Sequence, residues 1–196
     1  MPRPKLRPIS AEAAAAGQAA IDAFAGEVFV PEGAASYSLK GGRTGRRWSA
    51  RLQIEKATID IGGSKDEPNE NEAVYYIFAK SLPLNVDPDK AVPVGTPYHL
   101  RVRVNYEKIA EGDEMALRNE AVVTSLFSAL GVDIKQGGVP LEIIESAFPE
   151  KGRAVSTLLG RRVVVSLSLN PPKEGDGKGF LNVDRFMPDV DAVAVA

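Results

Sequence analysis

Arginine and lysine side chains concentrate in two short stretches of the chain. The first stretch contains Lys40, Arg43, Arg46, Arg47 and Arg51. The second contains Arg101 and Arg103, with one residue between them. A guanidinium group can bind phosphate through paired hydrogen bonds and can also stack on a nucleobase. Basic residues outnumber acidic ones in residues 1–56, although the whole chain carries a net charge of -2. This asymmetry predicts an anionic partner on one surface.

Four aromatic side chains are candidates for stacking on such a partner: Trp48, Tyr75, Tyr76 and Tyr106. Base stacking contributes about 1–3 kcal/mol per base and tolerates any sequence. In a strand, Trp48 shares one face with the apolar residues Ala50 and Leu52. This favours a place in the core, and stacking on a base is the alternative. Tyr75 and Tyr76 are adjacent, so a strand directs them to opposite faces and one of them points outward. Tyr106 ends an apolar strand face and is predicted at its rim.

Several kinds of catalytic site are excluded or disfavoured by what the chain lacks. It has no cysteine and one histidine, His99, so a thiolate site and a site with two histidines are impossible. The glycine-rich run GGRTGRR (41–47) lacks the Lys-Ser/Thr ending of a phosphate-binding loop and precedes a strand. We therefore predict no catalytic residues, no metal and no cofactor, and we expect that the protein is not an enzyme. His99 is predicted as a solvated surface histidine.

The composition is that of a soluble globular protein. The chain has 196 residues, of which 44% are hydrophobic and 26% charged, enough for one domain with a core. No apolar stretch approaches the roughly 18 residues of a membrane span, and acidic residues interrupt the apolar part of the N-terminal region. Together with the absence of cysteine, these features predict a cytoplasmic protein without membrane contact.

The hydrophobic pattern divides the chain into an N-terminal arm, one domain and a tail. Residues 1–26 are predicted as a flexible basic arm with a short alanine-rich helix over 10–25. Residues 27–188 form the domain, and residues 189–196 a short disordered tail. Strands are predicted over 47–61, 73–80, 98–106, 161–170 and 180–187, and helices over 114–130 and 141–148.

Antiparallel strands with a main helix and one or two short helices between them indicate a β-rich α+β fold. We predict an OB-like antiparallel β-barrel. If the strand that carries Arg51 lies beside the strand that carries Arg101 and Arg103, their polar faces form one basic groove.

Three runs in the C-terminal half carry a family resemblance: SLFSALGVD (125–133), LLGRRVVVSLSLN (158–170) and GKGFLNVDRFMP (177–188). Together with VPEG (30–33), they resemble a family of bacteriophage and prophage replication-module proteins that bind single-stranded DNA. The resemblance implies an OB-like fold and a role in DNA replication or recombination. The tail PDVDAVAVA departs from the strongly acidic tail, ending in an aromatic residue, that many such proteins use to recruit partners.

These observations favour a single-stranded DNA-binding protein that lacks sequence preference and neutralises phosphates in a basic groove. Replication or recombination proteins and further copies of the chain are possible partners. The alternative is a phage structural or assembly protein that uses strand faces for protein contacts and binds no nucleic acid. A metal-dependent nuclease is disfavoured because no acidic cluster has motif spacing.

Overall fold

The computed structural model describes residues 3–24, 47–83, 94–134, 138–170 and 180–189. In chain order, the elements are α1 (Ala11–Phe24), β1 (Arg47–Gly63), β2 (Pro68–Leu82), β3 (Pro97–Asn105), α2 (Tyr106–Ala110), α3 (Glu114–Ala129), α4 (Leu141–Ala147), β4 (Arg162–Asn170) and β5 (Phe180–Pro188). The prediction of a β-rich chain with a main helix and short helices between strands is confirmed.

One five-stranded sheet organises the fold, and all of its neighbouring strands are antiparallel. The strand order is β3-β2-β1-β4-β5, so the long β1 is the central strand. Within the β1–β2 ladder, Ile54 is opposite Ala79 and Lys56 is opposite Phe78, which leaves Glu55 as an extra residue. This β-bulge reverses which face of the sheet the following residues of β1 occupy.

The core lies on one face of this sheet. Strands β1 to β4 each contribute alternate apolar side chains to this inner face. The buried set includes Leu52, Ile54, Ala57, Ile59, Ala73, Tyr75, Ile77, Tyr98, Leu100, Val102, Val163, Val165 and Leu167. Helix α3 covers them with Val122, Val123, Leu126 and Phe127, all nearly inaccessible to solvent. Burial of alternate residues therefore fixes which side chains are left for the outer face.

Helix α3 lies against both edge strands of the sheet. On the β3 side, Asn119 Nδ2 donates a hydrogen bond of 2.8 Å to the carbonyl oxygen of Arg103. On the β5 side, the backbone N–H of Phe186 donates to Ser125 Oγ at 2.9 Å. Within the described residues β3 and β5 are edges that do not pair, so the sheet is open. The predicted closed barrel is not confirmed, because a helix provides the edge contacts that a closing ladder would have provided.

The N-terminal region contacts the domain in the structure, where we expected a mobile arm. Ile9 and Val139 exchange backbone hydrogen bonds of 3.0 and 2.8 Å, and the Ile9 side chain is buried. Helix α1 packs closely on α3, since a Cβ added at Gly17 would lie 2.6 Å from the Cβ of Ala121. At the other terminus, Asp189 was assigned to the disordered tail but is buried within the fold.

Gly138 provides a test of how the N-terminal region docks. It has φ of +69°, and a Cβ there would overlap the Ile9 carbonyl oxygen, whereas Gly131 has φ of +87° with open space around it. Alanine at either position costs about 1–2 kcal/mol for the left-handed backbone conformation. We expect Gly138→Ala to lower the free energy of unfolding by at least about 1 kcal/mol more than Gly131→Ala, in urea denaturation. Equal losses would show that the N-terminal contact does not stabilise the fold.

Candidate nucleic-acid interface

The outer face of β1, β2 and β3 carries two cross-strand rows of side chains. The first row is Lys56, Phe78 and His99, and the second is Thr58, Tyr76 and Arg101. Each row places an aromatic ring in the middle strand and a basic side chain on a neighbouring strand. We call the five residues Lys56, Tyr76, Phe78, His99 and Arg101 the platform.

The platform side chains contact one another. The rings of Phe78 and His99 meet edge to face, with centroids 4.8 Å apart and an interplanar angle of 70°. Lys56 Nζ lies 5.7 Å from the Phe78 ring centroid, and Arg101 Cζ lies 5.9 Å from the Tyr76 ring centroid. Both central rings are half-buried, while the three flanking side chains are exposed. Cations at these distances interact with the ring faces and hold their positions in the rows.

The cations of this face differ in whether a carboxylate neutralises them. Arg103 Nε lies 2.9 Å from Glu72 Oε1 as an ion pair without hydrogen-bond geometry, and Lys80 Nζ lies 2.6 Å from Glu55 Oε1. Arg101 and Lys56 form no ion pair with any carboxylate in the described ranges. These two cations therefore remain available to an anion.

The structure describes only part of the basic cluster that the sequence predicts around Arg51. Lys40, Arg43 and Arg46 lie outside the described residues, and Arg47 and Trp48 are described only through their backbone in β1. Arg51 lies on the outer face but seven residues before Thr58 in β1, about 20 Å along the strand. The expectation that Arg51 adjoins Arg101 and Arg103 is therefore wrong.

Arg51 is also occupied by a buried carboxylate. Its Nε donates to Asp189 Oδ2 at 2.8 Å, and its Nη1 donates to the carbonyl oxygen of Pro83 at 3.2 Å. The side chains of Arg51 and Asp189 are 13% and 3% exposed. An ion pair so far removed from water holds the C-terminal end of β5 against β1, and it does not present a free cation to a ligand.

Tyr75 and Tyr106 belong to the core rather than to a binding surface. Their hydroxyl oxygens lie 3.0 Å apart, and the Tyr75 ring meets the Phe148 ring edge to face at 4.9 Å. Burial is the main cause that raises the pKa of both phenols, and for Tyr75 the neighbouring Tyr106 raises it further. Of the two adjacent tyrosines, Tyr76 is the one that points outward.

A buried carboxylate lies near this tyrosine pair. Glu120 of α3 is 4% exposed, and Arg7 Nη2 lies 3.5 Å from its Oε1. Burial raises the pKa of the Glu120 carboxyl, and Arg7 opposes the rise. The Arg7 guanidinium also lies over the Tyr106 ring, 4.9 Å from its centroid. Arg7 thus joins the N-terminal region to the polar centre of the core.

Sequence reasoning missed Phe78 and Lys56 as surface residues. The sequence contained enough information to place Phe78, because residues two positions apart in a strand lie on the same face and Tyr76 was already a candidate for the outer face. Lys56 was hidden by the bulge at Glu55, which no alternation pattern reveals. His99 is exposed as predicted, but it packs on an aromatic ring instead of standing alone.

The described residues were compared with two common patterns, a cluster of metal ligands and a membrane-spanning helix. No three His, Asp or Glu side chains there come together in a way that could hold a metal ion. No helix in those ranges has the length and apolarity to cross a membrane.

Compared with known proteins, the chain matches no family model, no curated protein and no solved structure. The phage family resemblance therefore remains a prediction.

The buried tyrosine pair predicts a loss of stability at alkaline pH. Because their pKa values are raised above the ordinary value of 10.0, the folded state keeps protons that the unfolded state releases. The free energy of unfolding should be independent of these groups below pH 10 and should then fall by up to about 1.4 kcal/mol per pH unit for each tyrosine.

The test is urea denaturation at several pH values between 9 and 11. In the Tyr75→Phe variant, the free energy of unfolding should decrease less steeply with pH above pH 10, because one of the two coupled phenols is removed. Tyr76→Phe, on the outer face, should keep the wild-type fall. If both variants follow the wild-type curve, the buried pair is not the cause of the alkaline sensitivity.

Proposed function

We propose that the protein binds single-stranded DNA on the platform, without sequence preference and without catalysis. The observation that supports this most is the pairing of an outward aromatic ring with a cation in each of two adjacent rows. Stacking on rings is indifferent to base identity, and cations beside the rings can contact the phosphates between the bases. Open sheets with outward aromatic residues bind single strands by the same combination in other folds.

The distance between the Tyr76 and Phe78 rings determines how far apart two successive bases of a bound DNA strand must lie. Tyr76 and Phe78 are two positions apart in an extended strand, so their Cα atoms are about 7 Å apart. Neighbouring bases in a stacked strand are about 3.4 Å apart. Two successive bases can therefore occupy both rings when the strand is stretched, a geometry that a duplex does not offer. The platform should favour single strands over duplex DNA.

The charge of the platform face indicates a modest electrostatic contribution to the affinity for DNA. Two cations, Lys56 and Arg101, are free of described carboxylates, whereas Arg103 and Lys80 are paired. A phosphate could compete with Glu72 and Glu55 for the paired cations. Two to four phosphates would then be neutralised, and stacking would provide much of the remaining affinity.

The role in phage DNA replication or recombination, and an OB-like ancestry, rest on the sequence resemblance alone. The alternative of a structural or assembly protein predicts no binding to oligonucleotides. Titration of a fluorescently labelled dT oligonucleotide with the full chain, followed by anisotropy, separates the two. Saturable binding would support the proposed function, and no binding at low salt would reject it.

The salt dependence of this titration should reveal the number of phosphate contacts. With two to four neutralised phosphates, the plot of log affinity against log salt should have a slope between about -1.4 and -2.8. Arg101→Ala should make the slope less negative by about 0.7, because one contact is lost. The control Lys108→Ala, which removes an exposed cation on α2, should not change the slope. A slope near zero for the wild type would contradict phosphate binding.

The aromatic rings should contribute affinity that is insensitive to salt. Phe78→Ala and Tyr76→Ala should each weaken dT binding by about 1–3 kcal/mol, or about 5- to 150-fold. Thermal unfolding of each variant checks that the fold is retained, and Tyr76→Phe should bind nearly as well as the wild type. Unchanged affinity in both alanine variants would place the site away from the platform.

A further inference from the structure

The outer face of the sheet continues beyond the platform as one further row of polar side chains. Gln53 of β1 is opposite Lys80 of β2 on one side and opposite Arg162 of β4 on the other. Lys80 follows Phe78 by two positions in β2, so the three paired side chains lie on the same face as the platform. We call Lys80, Gln53 and Arg162 the extension row. It continues the polar surface from β2 across β1 to the start of β4.

The two cations of the extension row differ in how they are balanced. Arg162 is exposed, and it forms no ion pair with any carboxylate among the residues that the structure describes. Lys80 Nζ lies 2.6 Å from Glu55 Oε1, and both of these side chains are about half exposed. An ion pair so accessible to water is weak, so a phosphate can take the place of the carboxylate. The row therefore offers one free cation and one that an anion can recruit.

The opposite end of the outer face has the reverse balance of charge. At that end, Asp60 of β1 and Arg103 of β3 flank one position of β2. Asp60 is exposed, and Glu72 holds Arg103 in an ion pair. This end therefore has two carboxylates and one cation, whereas the extension row together with Glu55 has two cations and one carboxylate. A polyanion on the platform is repelled from the first end and attracted toward the second.

The separation of Arg162 from the platform corresponds to about two nucleotides. Its Cα atom is two residues along the sheet from that of Phe78 and two strands across, which is about 7 Å in one direction and about 10 Å in the other, or about 12 Å in all. A DNA strand stretched over the Tyr76 and Phe78 rings has about 7 Å between successive bases. Two nucleotides beyond the rings therefore bring a phosphate to Arg162.

We propose that the bound DNA strand leaves the platform over the extension row, where Arg162 binds a phosphate about two nucleotides beyond the rings. This inference rests on the proposed function and adds a direction and a further binding residue to it. Glu55, the extra residue of the bulge, occupies Lys80 in the free protein in the place that a phosphate takes in the complex. With Lys56 and Arg101, the row then provides three to four phosphate contacts. The slope of log affinity against log salt should therefore lie between about -2.1 and -2.8 for the wild type.

A matched pair of arginine variants tests this path. Arg161 precedes Arg162 in the chain but points to the helix side, where its Nη2 donates to the carbonyl oxygen of Leu130 at 3.4 Å. With a labelled dT oligonucleotide of about ten nucleotides at about 0.1 M salt, Arg162→Ala should weaken binding about fivefold and make the slope less negative by about 0.7, the values for one lost phosphate contact. Arg161→Ala should bind as the wild type does, and thermal unfolding checks that both variants keep the fold. Equal effects of the two variants, or no effect of Arg162→Ala, would overturn the proposed path.

Removal of the Glu55 charge provides a test in which binding should increase, a result that a folding defect cannot imitate. Glu55→Gln frees Lys80 and should tighten dT binding by about twofold to fivefold, the value for one exposed ion pair. The control Glu145→Gln removes an exposed carboxylate on α4, which packs on the inner face, and should leave the affinity nearly unchanged. Unchanged or weaker binding by Glu55→Gln, or an equal gain in the control, would show that Glu55 does not compete with the DNA strand.

These outcomes can be told apart from a failure of the proposed function. If dT binds the wild type and Phe78→Ala weakens that binding while Arg162→Ala does not, the platform is retained and the path over the extension row is wrong. If dT does not bind the wild type at low salt, the proposed function is wrong, and the path is rejected with it.

Discussion

Side chains alternate between the two faces of β2, and burial of one face fixes what the other face presents. The inner face takes Ala73, Tyr75, Ile77 and Ala79 into the core. A shift of one residue would place the Tyr75 hydroxyl, which needs its partner Tyr106, in contact with solvent and would bury the Tyr76 ring in its place. The platform therefore depends on core packing that it does not itself contain. Because β2 pairs on both sides, the same constraint aligns the cations of β1 and β3 with its rings.

The polar centre of the core connects this sheet to the helices. Tyr75 on β2, Tyr106 at the start of α2 and Glu120 on α3 lie together, and Arg7 of the N-terminal region contacts both Glu120 and the Tyr106 ring. Removing Arg7 would leave Glu120 buried without its cation, a costly arrangement for a carboxylate. The N-terminal region is thus joined to the fold at a buried carboxylate whose charge needs a partner.

Much of the architecture follows from patterns in the sequence. The strand predictions agree with the structure to within two residues at every end except the start of β2, which begins at Pro68, five residues before the predicted position 73. The apolar spacing of α3 and the glycine after it located the main helix. Adjacency of Tyr75 and Tyr76 correctly implied that one of them is outward. Local signals thus determine the elements, and they determine the faces of the side chains wherever the strand pairing is regular.

What the sequence could not provide arises from contacts between distant residues. The bulge at Glu55 reverses the faces that the following residues of β1 occupy, so Lys56 joins the platform. The strand register, which the sequence does not reveal, places Arg51 seven residues before the β1 residue in the row of Arg101. The buried partner of Arg51, Asp189, is 138 positions away in the chain. Helix α2 begins at Tyr106 because the Asn105 side chain accepts from the N–H of Lys108, which ends the strand earlier than alternation predicts. The open sheet likewise reflects tertiary packing of α3 between the edges.

The central claim is that an unpaired DNA strand lies on the outer face of β2. Photo-cross-linking of the full chain to a bromodeoxyuridine oligonucleotide, followed by tryptic digestion and mass spectrometry, tests it most directly. The account predicts adducts in the peptide of residues 66–80, on Tyr76 or Phe78 and not on the buried Tyr75. Adducts confined to peptides outside 66–80, or adducts on Tyr75 alone, would contradict it.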